Sequence, residues 1–463
     1  MHKASLVRLC VAGLAVLGCE KGDRASDRAA PAPSEKAIAA APSASAATPS
    51  AAPEKPRKPS EPLNVLLLTV DSLRADMPWT GYSRDIAPNL TALAKQAVVY
   101  ENFYSLSSYT AKSVGGFLTG RYPSTLYRDG FFFTRYYDKG NVFLTELLSE
   151  KQIATIGWHG HMYFGRGKGL EQGFSTWELV PGLTFDPQTD NSITSEKMTK
   201  LGIELLGKNG DKQFFAWAHY MDPHDQYNQH KESPEFGRKG KDRYDSEVFY
   251  TDLWLGKLLA WAEQQPWWKR TAVIISADHG EAFGEHGMYK HAFEVWNELI
   301  HIPLIVKAPG IEPRHITERR SAIDLAPTIF ELMGQPAAPE FMGKSMVPEL
   351  YGAPPENREP IVSELTEDSH NPPRRAIIQG DYKLITFGAG AKYLLFNLKK
   401  DPGEQTDLSK TEPEKLEEMK ALSKSFYEKL PTVEPHGGMK LKEGGTARGP
   451  REPPKPAETK DGG

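Results

Sequence analysis

Residues 64–76 read Asn64-Val65-Leu66-Leu67-Leu68-Thr69-Val70-Asp71-Ser72-Leu73-Arg74-Ala75-Asp76. A continuous apolar run that stops at an acid reads as a strand buried on both faces, with a polar group delivered at its carboxyl end. The pattern recurs at Ala272–Asp278, where TAVIISA runs into Asp278-His279, and at Phe214–His219, where QFFAWA ends at His219. Ile153–His159 and Ile302–Val306 read as further strands. Ala87–Ala97, Tyr244–Gln264 and Ile323–Met333 carry helical periodicity between them. Apolar strands alternating with amphipathic helices predict an α/β fold: a large, mixed, mostly parallel sheet flanked by helices. In such sheets ligands sit beyond the carboxyl ends of the strands. Asp71, His219, Asp278 and His279 therefore converge on paper, and acids with imidazoles at one edge suggest a metal site.

Outside this body the composition changes. Met1–Gly18 has a basic start and a short apolar stretch, too short to span a bilayer as a stable helix, and reads as a signal peptide. Val16-Leu17-Gly18-Cys19 places a cysteine where the apolar run ends. That arrangement resembles a bacterial lipobox. It implies a lipid on Cys19, contact with a membrane surface, and a place in the bacterial cell envelope facing periplasm or exterior. Residues 19–62, rich in Ala, Pro and Ser, read as an extended tether, and 432–463 as a disordered tail. A catalytic domain is expected over 63–352. A smaller α+β subdomain follows over 353–431, with strands at Ala376–Phe387 and Lys392–Leu398 around a turn at Gly388–Gly390, and a helix at Glu412–Leu430.

Of 463 residues, 39% are hydrophobic and 25% charged, which fits a globular enzyme. With 56 Lys+Arg against 60 Asp+Glu the net charge is −4, giving no electrostatic case for nucleic acid. Both cysteines, Cys10 and Cys19, lie in the first twenty residues. The body therefore has no disulfide, no Cys-ligated zinc and no cysteine nucleophile.

Residues 107–121 (SSYTAKSVGGFLTGR) read as a loop entering a helix that ends at Gly120. Thr110 falls at the helix N-terminus, where free N–H groups favour an anion, although an N-cap threonine is common. Gly115 and Gly116 weaken that helix and point to close packing behind it.

The ordered set of NVLLLTVDSLRAD (64–76), APNLTALA (87–94), LTGRYPS (118–124), HYMDPHDQY (219–227), YDSEVFYTDLWLGKLL (244–259), ADHGEAFGEHGMYKH (277–291), HIPLIVKAPG (301–310), SAIDLAPTIFELMG (321–334), GDYKLI (380–385) and YLLFNLKKDPGEQTDL (393–408) resembles the sulfatase family within the alkaline-phosphatase superfamily. The resemblance implies a mixed sheet with a small C-terminal domain bearing a four-stranded antiparallel sheet. It implies one divalent ion (Ca, Mn or Zn), with Asp71, Asp278 and His279 as ligands, and places Thr110 at the nucleophile position. It implies that His224 and Lys290 contact the sulfuryl or phosphoryl group, with Lys112 as a further cation. His291 or His159 would serve as proton donor or base.

Sulfatases proper oxidise a Cys or Ser to formylglycine. Here the position is Thr110, whose oxidation would give a ketone. The motif's Pro and Arg are Lys112 and Val114, and the usual acid pair is Asp71-Ser72. What remains resembles superfamily members with a threonine nucleophile that is also a metal ligand. The expected activity is hydrolysis or transfer of sulfuric or phosphoric esters, phosphoesters favoured, on a small molecule or envelope polymer. A sulfuric ester hydrolase lacking formylglycine and an inactive binding protein of the envelope stay open. Among secondary residues, His159 and His161 are candidates for the pocket, Glu281 for support of His279, Glu285 and His286 for loop structure, and His301 for a structural role.

Overall fold

The computed structural model describes residues 58–437 apart from 132, 139, 184–192, 211 and 370–371. The leader, the lipobox cysteine, nearly all of the tether and most of the tail lie outside the described residues. No helix among the described residues is long and apolar enough to cross a membrane.

The central sheet is built from β1 (Asn64–Val70), β2 (Val98–Tyr104), β3 (Ala154–His159), β4 (Thr176–Leu179), β5 (Phe214–Tyr220) and β6 (Thr271–Ala277). A short hairpin, β7 (Ala282–Phe283) and β8 (Tyr289–Lys290), precedes β9 (His301–Lys307), β10 (Arg314–Ile316) and β11 (Arg320–Ser321). The strand order is β10-β2-β9-β6-β1-β5-β3-β4, with β11 also pairing β2. Only β9 runs against its neighbours β2 and β6. Every residue of β1, β5 and β6 is buried, as continuous apolar runs demand of a sheet covered on both faces.

The helices are α1 (Pro88–Ala94), α2 (Thr110–Thr119), α3 (Leu144–Glu150), α4 (Ser195–Asn209), α5 (Gly240–Ala262), α6 (Asn297–Ile300), α7 (Leu325–Leu332), α8 (Val347–Leu350) and α9 (Pro413–Tyr427). Buried Asp252 of α5 accepts from the backbone N–H groups of Asn89 and Leu90, closing the first turn of α1 from a neighbouring helix. Trp261 and Trp267 pack edge-on, and Trp267 likewise meets Phe214, so this aromatic cluster is core.

The C-terminal sheet is β12 (Ile361–Leu365), β13 (Arg374–Gln379), β14 (Tyr382–Phe387) and β15 (Lys392–Asn397), all antiparallel. The expected single strand over 376–387 is a correction: Gly380, with φ +56, turns the chain, and the segment is a hairpin. Buried Tyr104, Leu299 and Ile300 share one apolar cluster with Ile361, Leu365 and Ile378, so this sheet is packed onto the main body.

Candidate active site

Register brings the site together. Central strand β1 is flanked by β5, with Thr69 opposite His219, and by β6, with Val70 opposite Ala277. The next residues, Asp71 and Asp278, must then emerge side by side. Both are fully buried. Ser72 adopts φ +59, and its N–H reaches Asp278 Oδ1 at 3.2 Å while its hydroxyl donates to Asp71 Oδ1 at 2.8 Å. Ser72 thus fills the place of an expected second acid and braces both carboxylates.

Thr110 is the first residue of α2, with Tyr109 as N-cap. Its hydroxyl does not cap its own helix. It lies 2.9 Å from His279 Nε2 and 3.4 Å from Asp71 Oδ2. His279 Nδ1 is 2.9 Å from the Gly280 carbonyl, which can only accept, so Nδ1 holds the ring proton and Nε2 presents its lone pair to Thr110. The glycines explain how α2 comes so close. A Cβ on Gly115 would stand 2.5 Å from the Tyr136 ring and one on Gly116 2.6 Å from Leu106. Tyr136 in turn donates to the Ala111 carbonyl.

His219, the strand-end histidine that the resemblance assigns no role, is 3.2 Å from Asp71 Oδ2 through Nε2 and 2.8 Å from Thr69 Oγ1 through Nδ1. Asp71, His219 and Asp278 offer ligand atoms within 4.8 Å of one another. Their electrostatics diverge. Burial alone would raise the Asp71 carboxyl, but the His219 hydrogen bond and the nearby His224 and His279 rings hold it well below the usual range. Burial, reinforced by the Asp71 charge, pushes Asp278 up. Asp278 Oδ2 is buried with no hydrogen-bond partner. An orphaned carboxylate oxygen beside a second buried acid marks a place short of positive charge. The donor set fits a divalent ion such as Zn or Mn.

Around this centre stand more histidines. The His291 ring is 4.3 Å from that of His279 and 5.0 Å from that of His224. Glu281 is a correction: its oxygens lie 3.1 and 3.2 Å from His291 Nδ1, so it supports His291 and not His279, and Tyr227 donates to it at 2.9 Å. Burial opposes a charged His291, but the Glu281 carboxylate outweighs it and lifts the ring to about 9. His161 accepts the Tyr163 N–H at Nδ1 and lies 6.5 Å from the His224 ring, at the pocket. His159 turns instead into Phe164 and Trp177, where burial pushes it down to about 3.

Two expected assignments shift. Lys290 is half exposed at the rim and paired with Asp225 at 2.5 Å. Lys112 is not brought to the cluster: it is wholly buried, its ammonium 2.6 Å from Asp368 and 2.8 Å from the Thr366 carbonyl. It joins α2 to the C-terminal subdomain. Asp222 of the DPH segment caps α4 through the N–H groups of Thr194 and Ser195. Glu285 pairs with Arg74, and His301 reaches the Glu101 carbonyl; both are structural.

A buried cation role makes Lys112 testable. Lys112→Met is expected to destabilise the fold by about 3–5 kcal/mol in urea unfolding, because it removes the counter-charge of buried Asp368. The Lys112→Met/Asp368→Asn pair should regain most of that loss. A stable Lys112→Met protein without turnover would place Lys112 on the substrate instead.

An open α/β sheet with this polar centre at its carboxyl edge defines an ester hydrolase of the alkaline-phosphatase superfamily. The chain belongs to the sulfatase family, which it matches over residues 63–335; residues 284–433 match the N-sulphoglucosamine sulphohydrolase C-terminal family. The second match begins inside the expected catalytic domain, at the β7–β8 hairpin. Enzymes of the family usually bind a divalent metal. The chain is 23% identical to a choline-sulfatase of Rhizobium meliloti, over 75% of this chain and 82% of that one. It is 31% identical to a Delta 4,5-hexuronate-2-O-sulfatase of Bacteroides thetaiotaomicron, over 31% of each. Among solved structures, a 2-O GAG sulfatase superposes with a TM-score of 0.68 at 20% identity, covering 80% of this chain and 92% of that one. A phosphonate monoester hydrolase of Agrobacterium radiobacter gives 0.64 at 17%, covering 80% and 97%.

Proposed function

We propose that this chain is a divalent-metal-dependent hydrolase or transferase in which the Thr110 hydroxyl is the nucleophile, acting on phosphoric esters in preference to sulfuric ones. The observation that carries the reading is the Thr110 hydroxyl, held between His279 Nε2 and Asp71 at the first turn of α2 rather than spent on a helix cap. The body of the chain offers no cysteine for the formylglycine route.

Asp71, Thr110, Asp278 and His279 would hold the ion, with His219 beside them. Bound there, a divalent ion supplies the positive charge that lowers the hydroxyl's pKa and offsets charge on the ester. The chain's own groups do the rest. His279, its Nδ1 tied to the Gly280 carbonyl, keeps Nε2 for the ion, and the Thr110 hydroxyl directs its proton to Asp71 Oδ2 at 3.4 Å. Thr110 oxygen attacks phosphorus in line; a Thr–O–P bond forms as the ester O–P bond breaks. The N–H groups at the start of α2 and the rings of His224 and His161 surround the equatorial oxygens. His291, held through Nδ1 by Glu281, returns a proton to the leaving oxygen. Water or an acceptor alcohol then cleaves the threonine ester. Lys290, at the rim, meets the substrate on entry. The enzyme would work at the membrane surface of the cell envelope, tethered through lipid on Cys19.

Turnover of an aryl phosphate, a bis-aryl phosphate and an aryl sulfate by one preparation tests this. The diester is expected to be fastest. Turnover of the sulfate alone would favour the second reading, a sulfuric ester hydrolase with an unmodified threonine, which the sulfatase relatives support. No turnover together with no bound metal would leave an envelope-binding protein.

A further inference from the structure

Behind the catalytic segment lies a second polar cluster that the ester chemistry does not use. His286 in the β7–β8 hairpin, Glu298 of α6 and Glu404 in the loop after β15 bring one ligand atom each within 4.8 Å of the others. They come from three separate pieces of chain, the last in the C-terminal subdomain. His286 adopts φ +53, and its ring stacks on Trp296 at 3.9 Å and 8°. The ring plane is thereby fixed, leaving Nε2 facing Glu298 Oε1 at 3.9 Å. That is too long for a hydrogen bond, and a tetrahedral ion would draw the two donors together by only about half an ångström.

The Glu298 side chain is only 7% exposed, yet its Oε1 has no hydrogen-bond partner, and neither does His286 Nε2. The Oδ1 of neighbouring Asn297 is also without one. Glu404 is engaged in part. Its Oε2 accepts the Asn297 N–H at 2.6 Å, and its Oε1 lies 2.7 Å from the buried Lys383 ammonium. Two carboxylates thus share one cation, and Glu298 has an uncompensated oxygen. Leaving such a group buried costs several kcal/mol, on the order of a lost ion pair. Burial, with the Glu404 charge added, raises the Glu298 carboxyl to about 7. The cluster is one positive charge short.

We propose that His286 Nε2, Glu298 Oε1 and Glu404 form a second, structural divalent-cation site, separate from the Thr110 centre. One imidazole and two carboxylates suit Zn or Mn better than Mg or Ca. Lys383, whose ammonium lies 2.7 Å from Glu404, is itself pushed down by burial. The site would fasten the C-terminal subdomain to α6. That helix backs the catalytic loop: Gly280 N–H donates to Leu299 O at 2.8 Å, and a Cβ on Gly280 would meet Glu298 O at 2.1 Å. The proposal does not depend on the identity of the nucleophile.

Full-length protein loaded with Zn²⁺ and dialysed is to be analysed for metal by mass spectrometry. Wild type should hold two equivalents, Glu298→Gln one, Asp278→Asn one, and the double variant none. In the Asp278→Asn background Zn²⁺ should still raise the unfolding temperature, and Glu298→Gln should abolish that rise. His286→Asn serves as a second probe if Glu298→Gln fails to fold, and should lose the same equivalent. Retention of two equivalents by either variant, or an Asp278→Asn protein with no bound Zn²⁺ and no thermal response, overturns the site. The carboxylate would then be held by a proton or water.

Discussion

Thr110→Ala is expected to lower kcat/KM by on the order of 10⁴-fold with the fold intact, because it removes the attacking oxygen and, besides it, only one methyl group. Thr110→Ser keeps the hydroxyl at the same helix terminus and should retain activity within about tenfold. Rapid quench with an activated phosphodiester should add the mass of the transferred group to wild type and to Thr110→Ser, but not to Thr110→Ala. The contrast separates a nucleophile from a bystander. The Thr110 hydroxyl is 2.9 Å from His279, so its loss also removes one hydrogen bond, a contribution of about 1 kcal/mol that cannot explain four decades. Full activity in Thr110→Ala would exclude every mechanism built on that oxygen.

Asp278→Asn should have the next largest effect, and of opposite sign on activity and stability. The variant keeps an oxygen to accept the N–H groups of Ser72 and His279. It loses the charge that Oδ2 presents without a partner. Metal affinity at the catalytic centre is expected to fall by at least about 100-fold, taking turnover with it. The metal-free protein should become no less stable, because a buried carboxylate crowded by Asp71 is replaced by a neutral amide. Thermal unfolding with and without chelator reads both effects. A variant that loses stability in chelator would show Asp278 to be a structural acid.

Much of this was legible in the chain. β1, β5 and β6 are buried on both faces, so their sequences carry an unbroken apolar signal with a polar residue at each end. The short helix after Thr110 declares its end through Gly120, whose φ of +61 suits glycine. Other elements gave no such signal. β2 (VVYENFY) is interrupted by polar residues because Glu101 and Asn102 in its middle are only half-buried, and β12 (IVSEL) is brief. The 376–387 run reads as one strand because a two-residue turn at Gly380-Asp381 barely interrupts it.

By itself the sequence determined which residues end which strands, and therefore that Asp71, Asp278 and His279 would share an edge; Thr110 beside them was implied by the family resemblance. Backbone register is local pattern made geometric, and pattern is written in the chain. Partner choice is not. Only the tertiary structure decided that Lys112 points to Asp368 rather than to substrate, that Glu281 holds His291 rather than His279, and that His219 joins Asp71. Each is a pairing between residues remote in sequence, settled by which buried charge most needed a counter-charge once the core had closed.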